Sequence, residues 1–362
     1  MNYLILTGIV VLISFLYEHI RGIETTKKSV KIIVLALLCL VLCGFAGLRT
    51  RYNDTSDYIQ GFLNTTRQIS TIFKGEFSIS GVYLFGLWNY GIYHFISSNP
   101  NVWLFLCSAV FVLPTVYLIA KYAKGFTLSM FLFMVAGGYL FSLAGLKQAM
   151  ATGIVMMGIP ALINKKYFKY YIFCFIAMGF HTYSLIYLIL PLLGRGLFNK
   201  RMLIFCVAML ILGVGLSFFA EAVSSIIELL GKDVDEETLT EGSVNILRAL
   251  VYAVPFVLAV LGREKIKDGC SETDKRFIKI SLLSALFMIL AIFGNPILFG
   301  RVPHYFNIGI VISLPILINS VFEDKNAKIV TIIAIVLYFA FGLYQLYNDG
   351  AFTKDIFGLL WF

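Results

Sequence analysis

Between residues 45 and 58 the chain reads Phe45-Ala-Gly-Leu-Arg-Thr-Arg-Tyr-Asn-Asp-Thr-Ser-Asp-Tyr58. An apolar run from Lys31 to Leu48 ends at the first of the two arginines in this stretch. A block of lysines is the ordinary pattern at a membrane edge, whereas this cluster mixes Arg, Asp, Asn and Tyr. Arginine offers forked donors for phosphate or carboxylate, and the aspartates can accept hydrogen bonds from hydroxyls. We interpret the stretch as one wall of a polar site on the non-cytoplasmic side of a membrane.

The composition places the chain among membrane proteins. Hydrophobic residues make up 59% of the 362 residues and charged residues only 14%, against roughly 25% charged residues in soluble domains. Apolar runs recur that are long enough to cross a bilayer, so we predict an all-α, polytopic transmembrane helical bundle of about 10–13 membrane segments. The bundle is expected to form one integral membrane domain over residues 1–362, with some short or broken helices and an outward-facing polar cavity.

The distribution of charged residues predicts how the chain is oriented in the membrane. The net charge is +9, and most of the 29 lysines and arginines fall in loops that the positive-inside rule assigns to the cytoplasm. We therefore predict no nucleic-acid partner and an N-terminus outside. The rule makes 49–80 an external loop with short helices, 221–243 an acidic external loop and 262–279 a basic cytoplasmic loop. The six cysteines show no metal-ligand spacing, and neither a metal nor a cofactor is predicted.

Two apolar segments are not expected to cross the membrane as single continuous helices. If 81–98 crossed the membrane, Lys121 and Lys124 would lie outside, so this segment is expected to lie along the interface. Segment 170–193 has basic residues at both flanks and is too short for two full spans. We predict two half-helices that meet near Gly179-Phe-His-Thr182, with one ordinary span as the alternative. The ordinary spans are predicted at 3–20, 32–48, 101–120, 126–144, 147–164, 202–220, 244–261, 280–299, 302–321 and 329–347.

Ionisable residues within or beside these runs are the candidate site residues, because such residues are costly in a membrane and tend to mark function. His181 lies in mid-run and Arg301 begins a late span. A hydrogen-bonded packing role for His181 and snorkelling of Lys147 to the interface are the alternatives. Asp54 and Asp57 either bind sugar hydroxyls or pair with arginines. The residues expected to converge on one electropositive external cavity, suited to phosphate or pyrophosphate, are Arg49, Arg51, Lys147, His181, Arg301 and His304.

Several short motifs, taken in order, resemble the EpsG/Wzy group of bacterial polysaccharide polymerases. They are Gly47-Leu-Arg…Asp57-Tyr58, Gly145-Leu-Lys-Gln148, Asn164-Lys-Lys166, Phe180-His-Thr-Tyr-Ser184 and Gly300-Arg301…Tyr305-Phe306. Three departures accompany the resemblance. Lys147 stands where the group usually has Arg, and Thr55-Ser-Asp-Tyr58 replaces a usual Gly-Thr-Asp-Tyr. The acidic residue expected before the third apolar segment is represented by Glu76, a few residues early.

The resemblance implies a membrane glycosyltransferase that polymerises undecaprenyl-pyrophosphate-linked oligosaccharide repeat units into O-antigen, capsule or exopolysaccharide. It implies a place in the bacterial inner membrane, with the active site facing the periplasm or exterior. The implied partners are the lipid-linked donor and acceptor and the bilayer, with a chain-length regulator as an optional further partner. A lipid-linked oligosaccharide flippase or transporter and a glycan ligase remain the alternative functions. A membrane O-acyltransferase is disfavoured because it would need a cytoplasmic acyl donor.

The resemblance also implies roles for particular residues. Either His181 or Asp57 would accept the proton of the acceptor hydroxyl. Asp54 and His304 are further substrate-binding candidates. The residues expected to stabilise pyrophosphate are Arg49, Arg51, Lys147 and Arg301. The residues expected to contact sugar are Tyr58, Gln148 and Tyr305.

Overall fold

The computed structural model describes residues 2–64, 83–194, 196–215, 220–229, 241–296 and 298–359. These residues form helices and no strand, which confirms the all-α prediction. Residues 65–80 of the predicted external loop 49–80, including Glu76, and residues 230–240 of the predicted loop 221–243 lie outside the described residues. The helices are α1 (Asn2–Gly22), α2 (Lys28–Leu48), α3 (Thr55–Leu63), α4 (Tyr83–Phe95), α5 (Pro100–Tyr122), α6 (Phe126–Val135), α7 (Gly138–Ala144), α8 (Leu146–Ile163), α9 (Tyr167–Met178), a 3₁₀ helix (Thr182–Leu188), α10 (Ile189–Leu192), α11 (Lys200–Val214), α12 (Ala220–Leu229), α13 (Ile246–Leu261), α14 (Arg263–Gly269), α15 (Glu272–Leu290), a 3₁₀ helix (Val302–Phe306), α16 (Asn307–Val321) and α17 (Asp324–Asn348).

The membrane character predicted from composition is confirmed. Within the described residues, six helical segments are long and apolar enough to cross a membrane, or up to eight if each bent helix pair counts as one span. A 21-residue helix such as α2 is about 32 Å long, which matches a hydrocarbon core of about 30 Å. The 13 residues of α4 cover only about 20 Å, in keeping with the prediction that 81–98 does not span.

The core of the bundle lies at α5, α8, α15 and α16, whereas fewer than half of the residues in α1, α2 and α17 are buried. Helix α15 packs against α16, and α5 packs against both α2 and α8. Close packing of helices in a membrane depends on small residues at their contacts. Gly309 of α16 is such a residue, because a Cβ there would overlap backbone atoms of Ile280 and Ser281 in α15.

The predicted span 126–144 is wrong as one continuous helix. It breaks between α6 and α7, which are bent by 41° relative to each other. Gly137 adopts a positive φ of 85° at the break, a conformation that side chains with a Cβ rarely tolerate. The chain around Ala136-Gly137-Gly138 is apolar and lacks proline, so hydropathy gave no sign of this interruption.

The predicted reversal within 170–193 is confirmed. Helix α9 ends at Met178, and His181 is extended, with φ −158° and ψ 112°. The Tyr170 hydroxyl in α9 donates to the Tyr187 carbonyl at 2.9 Å. In one continuous helix these two residues would be about 25 Å apart. The chain therefore turns back near Gly179 and forms a hairpin of short helices.

The segment boundaries around the predicted basic loop 262–279 are also corrected. Most of this segment is helical, because α14 fills its first half and α15 begins at Glu272. A reciprocal capping box between Ser271 and Asp274 starts α15, since these side chains satisfy backbone N–H groups that the first turn leaves unpaired. Consequently the predicted span 280–299 begins earlier and ends at Leu290. The predicted acidic loop 221–243 similarly begins within α12.

Replacing Gly309 with Val tests the contact between α15 and α16. We expect the folded protein to lose about 3 kcal/mol of stability or more, because the added side chain meets backbone that cannot move aside. The measurement is thermal unfolding in detergent, followed by size-exclusion chromatography. Gly8→Val on α1 is the matched control, since no atom lies within 4 Å of a Cβ there. Equal stability of the two variants would contradict the packing described.

Candidate functional site

A cavity of about 450 Å³, hereafter the polar cavity, lies where several helices end. Its walls come from the loop after α2, the ends of α7, the start of α13, the turn before α16 and the end of α17. The chemistry-bearing residues that line it are Tyr52, Asn53, Asp54, Asn245, Arg248, Arg301, His304, Gln345 and Asp349. Segments far apart in sequence therefore meet at one end of the bundle.

The break between α6 and α7 forms the floor of the polar cavity. The break frees backbone carbonyls that a continuous helix would pair internally. The Val135 carbonyl accepts from Gln345 Nε2 at 3.2 Å, and the Ala136 carbonyl accepts from Asn307 Nδ2 at 3.1 Å. Irregular backbone within a membrane is tolerated only where such partners exist. The polar side chains of α16 and α17 therefore make the break possible.

His304 is buried at this floor. Its ring stacks on Phe141, with ring centroids 3.9 Å apart, and its Nδ1 lies 3.4 Å from the Tyr252 hydroxyl. A Cβ at Gly137 would lie 3.6 Å from the His304 ring, an ordinary contact distance, but only 3.1 Å from Gln345 Oε1. These contacts fix the orientation of the ring against the cavity.

A second cavity of about 320 Å³, hereafter the His181 cavity, is mostly apolar. Leu185 and Ile186 from the hairpin, Ile227 of α12 and Phe299 contribute to its lining. The Tyr305 hydroxyl and His181 Nδ1 are 2.6 Å apart. In the tautomer in which Nδ1–H donates to the tyrosine oxygen, Nε2 is the proton-accepting nitrogen. The imidazole is then able to act as a general base.

Arg301 lines both cavities. Its backbone is held in place because buried Gln148, at the start of α8, donates from Nε2 to the Arg301 carbonyl at 2.8 Å. Its side chain remains exposed. Arg301 therefore borders one cavity that Arg248 also lines and another that His181 also lines. This arrangement can stabilise negative charge on one side while a proton is removed on the other.

A family model for the EpsG family matches residues 32–357 of the 362-residue chain. The chain belongs to the EpsG family. Because EpsG is a family of Wzy-type polymerases, the chain is a polysaccharide polymerase-like membrane protein. The resemblance found in the motifs is thereby confirmed. A search of curated proteins and a search of solved structures each found no match.

The structure brings many of the EpsG motif residues together near Arg301. Burial, and less strongly the Asp54 carboxylate, raise the pKa of Tyr58, whereas the Arg301 guanidinium and a backbone hydrogen bond with Lys147 lower it. Lys147 Nζ lies 5.1 Å from the ring centroid of Phe85 and 6.0 Å from that of Tyr58, within the range of cation–π attraction. Lys147 and Tyr58 lie beside the two cavities without lining either.

Arg49 occupies a different place from the one expected for a pyrophosphate ligand. It is 1% exposed and lines neither cavity. Its guanidinium donates to the Ala46 carbonyl, to the Leu143 carbonyl at 3.1 Å and to Thr55 Oγ1 at 3.2 Å. Burial lowers its pKa to about 10, so the group stays charged at neutral pH. Arg49 joins the carboxyl ends of α2 and α7 and stabilises the wall of the polar cavity without lining it.

Arg51 and Asp57 are two further predicted site residues that line neither cavity, and both are exposed. Arg51 donates its backbone N–H to the Phe357 carbonyl at 3.0 Å, as does Thr50. Thr50 Oγ1 also donates to the Gly358 carbonyl at 2.7 Å. Asp57 lies in the first turn of α3, and neither it nor Arg51 lines a cavity. Their predicted substrate contacts therefore remain predictions.

Arg248 is the functional candidate that sequence reasoning missed. It is half-buried in the first turn of α13 and lines the polar cavity. A lone arginine just inside the apolar run 246–261 was a usable signal, because intramembrane charges tend to mark function.

Asp349 was also missed. It accepts from the Tyr52 hydroxyl at 2.7 Å across the cavity rim, a contact between opposite ends of the chain that no local pattern shows.

Replacing Arg49 and Arg51 separately with Met distinguishes support from substrate contact. Arg49→Met should lose about 1–3 kcal/mol of stability, because the carbonyls of Ala46 and Leu143 lose a buried donor. Arg51→Met should leave thermal stability within about 0.5 kcal/mol of wild type, since its side chain is exposed. Thermal unfolding in detergent measures both. An Arg49→Met protein of unchanged stability that makes no polymer would instead assign Arg49 to substrate binding.

Proposed function

We propose that this EpsG-family chain is a membrane glycosyltransferase that polymerises undecaprenyl-pyrophosphate-linked oligosaccharide repeat units. The observation that carries the proposal is that Arg301 lines both the polar cavity and the His181 cavity. A polymerase must hold two lipid-linked substrates at once, and holding them in adjacent pockets supplies proximity. Two cavities that share one arginine suit a donor and an acceptor.

The polar cavity suits the donor, which is the growing chain on its lipid pyrophosphate. Arg248 and Arg301 offer forked donors that match pyrophosphate oxygens. As the bond from the anomeric carbon to the pyrophosphate oxygen breaks, the electron pair stays on that oxygen. The two guanidinium groups stabilise this developing charge. Lipid pyrophosphate then leaves.

The His181 cavity suits the acceptor, which is a sugar hydroxyl of the second lipid-linked unit. The hydroxyl oxygen forms the new bond to the anomeric carbon, and its proton passes to Nε2 of His181. Tyr305 orients the imidazole through its contact with Nδ1. Asp57 is the other predicted base, but it lies outside both cavity linings. The position of His181 therefore favours it over Asp57.

The charge pattern supports a reaction at the outer face of the bacterial inner membrane, with the N-terminus outside. Four basic residues fall outside the predicted cytoplasmic loops and meet near the cavities. They are Arg49, Lys147, Arg248 and Arg301. The opposite end of the bundle holds the Lys124–Asp274 ion pair, at 3.1 Å, and the basic helix α14. The lipid-linked units and the bilayer are the proposed partners, with a chain-length regulator as an optional one.

Glycan length in cells lacking the gene tests the reaction. We expect deletion to leave single repeat units and wild type to restore a ladder of longer chains. Arg301→Ala should cut polymerisation about 100-fold, because one charge-stabilising group is lost. His181→Ala should do so by a similar factor, because a general base is lost. The matched control is Arg263→Ala, an exposed arginine on α14 at the opposite end of the bundle.

Two other outcomes of this experiment would contradict the proposal. Lipid-linked units that accumulate at the cytoplasmic face would identify a flippase. A complete ladder that stays on its lipid carrier would identify a ligase. Membrane insertion and amount of each variant are measured in parallel by size-exclusion chromatography, so that misfolding is separated from loss of chemistry.

Cysteine labelling tests the proposed orientation. Ser243 is exposed and lines the polar cavity, and Lys265 on α14 is exposed at the other end. In cells stripped of their outer layers, a membrane-impermeant maleimide should label Ser243→Cys, and should label Lys265→Cys only after permeabilisation. The wild-type chain measures background, since its cysteines are buried except half-buried Cys206. The reverse labelling pattern would place the cavity on the cytoplasmic side.

A further inference from the structure

A groove of about 430 Å³ runs between α13 and α17, with α16 as its floor. The described residues that line it are all Leu, Ile, Val, Ala, Phe or Tyr. Leu250 on α13 and Leu337 on α17 are each 61% exposed, so the groove opens to the outside of the bundle. In a membrane this face meets lipid.

The groove is long enough for an extended lipid chain. Its lining on α17 extends from Val330 to Tyr344, which is about 21 Å of helix. On α13 it extends from Leu247 to Leu258, about 17 Å. Roughly two thirds of a hydrocarbon core of about 30 Å is therefore covered. The Tyr338 hydroxyl donates to the Val251 carbonyl at 3.1 Å and ties the two walls together within the groove.

One end of the groove leads into the polar cavity. Phe341 and Tyr344 line both spaces. The Tyr344 hydroxyl accepts from Asn245 Nδ2 at 2.9 Å, which holds α13 and α17 together at this junction. Arg248 follows Leu247 along α13 and lines the cavity side, together with Arg301. An apolar groove thus continues directly into a pocket with two guanidinium groups.

Among the described residues, neither carboxylate that lines this pocket forms an ion pair with Arg248 or Arg301. Asp349 lines the polar cavity and accepts a hydrogen bond from the Tyr52 hydroxyl at 2.7 Å. Asp54 lines the cavity on the side of Tyr58, whose pKa its charge raises. Arg248 and Arg301 present forked donors that match the oxygens of a pyrophosphate. The pocket and the groove therefore complement the two parts of an amphiphile with an anionic head and one long tail.

We propose that the groove between α13 and α17 holds the isoprenoid tail of the donor lipid while its pyrophosphate lies at Arg248 and Arg301. This inference rests on the proposed function and adds the path by which one of the two lipids enters. The growing glycan, attached to the pyrophosphate, then extends from the polar cavity toward the His181 cavity. The leaving lipid pyrophosphate departs sideways into the bilayer along the same groove.

Filling the groove tests the inference on both of its walls. Ala340→Trp on α17 and Leu250→Trp on α13 place an indole inside it. Their matched controls are Val336→Trp and Leu261→Trp, on the same helices, exposed to lipid and outside the groove lining. The probe is a photoreactive long-chain polyprenyl pyrophosphate without sugar, added to the full-length protein in lipid nanodiscs. Cross-linked peptides are identified by mass spectrometry.

We expect the wild-type chain to cross-link on α13 and α17. Each groove-filling variant should lower this cross-linking at least about tenfold, and each control should keep it. Arg248→Gln should weaken capture, with partial recovery in Arg248→Lys, because a point charge replaces the fork. Excess phosphatidylglycerol should not compete. Effective competition by phosphatidylglycerol would show an ordinary lipid site and overturn the proposal.

The failure of this inference is distinguishable from failure of the proposed function. If cross-links were confined to the hairpin 179–188 and both groove-filling variants kept an intact glycan ladder, the lipid site in the groove would be refuted. The proposed polymerase function would still stand. If the protein captured the probe in the groove but produced no ladder when it complemented the deletion, the lipid site would be supported. The proposed polymerase function would be refuted. Size-exclusion profiles of all four Trp variants exclude misfolding as the cause of lost capture.

Discussion

The backbone carbonyls freed between α6 and α7 must find donors inside the protein, because the hydrocarbon around the bundle offers none. Gln345 and Asn307 supply them from α17 and α16, and Tyr3 of α1 donates to the neighbouring Met134 carbonyl at 2.9 Å. Three helices distant in sequence are thereby fixed around one break. The polar cavity opens above this break, so its position follows from how the backbone is satisfied.

This arrangement explains why a polar site is stable within such an apolar chain. Near the cavity floor, Gln345 and Asn307 donate to the backbone, and Tyr252 contacts His304. Gln148 holds the Arg301 backbone, and Phe141 and Tyr252 hold His304. The guanidinium of Arg301 itself remains exposed. Rigid support behind an exposed charged group is the arrangement expected for binding and charge stabilisation.

Sequence patterns predicted those parts of the molecule that charge and hydropathy control. The reversal near Gly179 followed from basic residues at both flanks, and the convergence of His181 and Arg301 on a cavity was predicted because both are ionisable residues within or beside apolar runs. The break at Gly137 could not be predicted, because its stabilising donors lie more than 130 residues away along the chain. Arg49 illustrates the same limit, since a carbonyl 94 residues later accepts from its guanidinium. Long-range hydrogen bonds leave no local pattern in a sequence.

The contacts of residues 50–52 with 349–358 have a consequence for the order in which the protein is assembled. Thr50 and Gly358 are joined across 308 residues, and Tyr52 meets Asp349 across 297. A chain still emerging from the ribosome has the early wall of the polar cavity but lacks its counterpart. Contacts between such distant residues form late because loop closure opposes them. An incomplete chain in the membrane therefore holds an open cleft, and the wall of the polar cavity that Phe341 to Asp349 supply is added only after synthesis has passed residue 349.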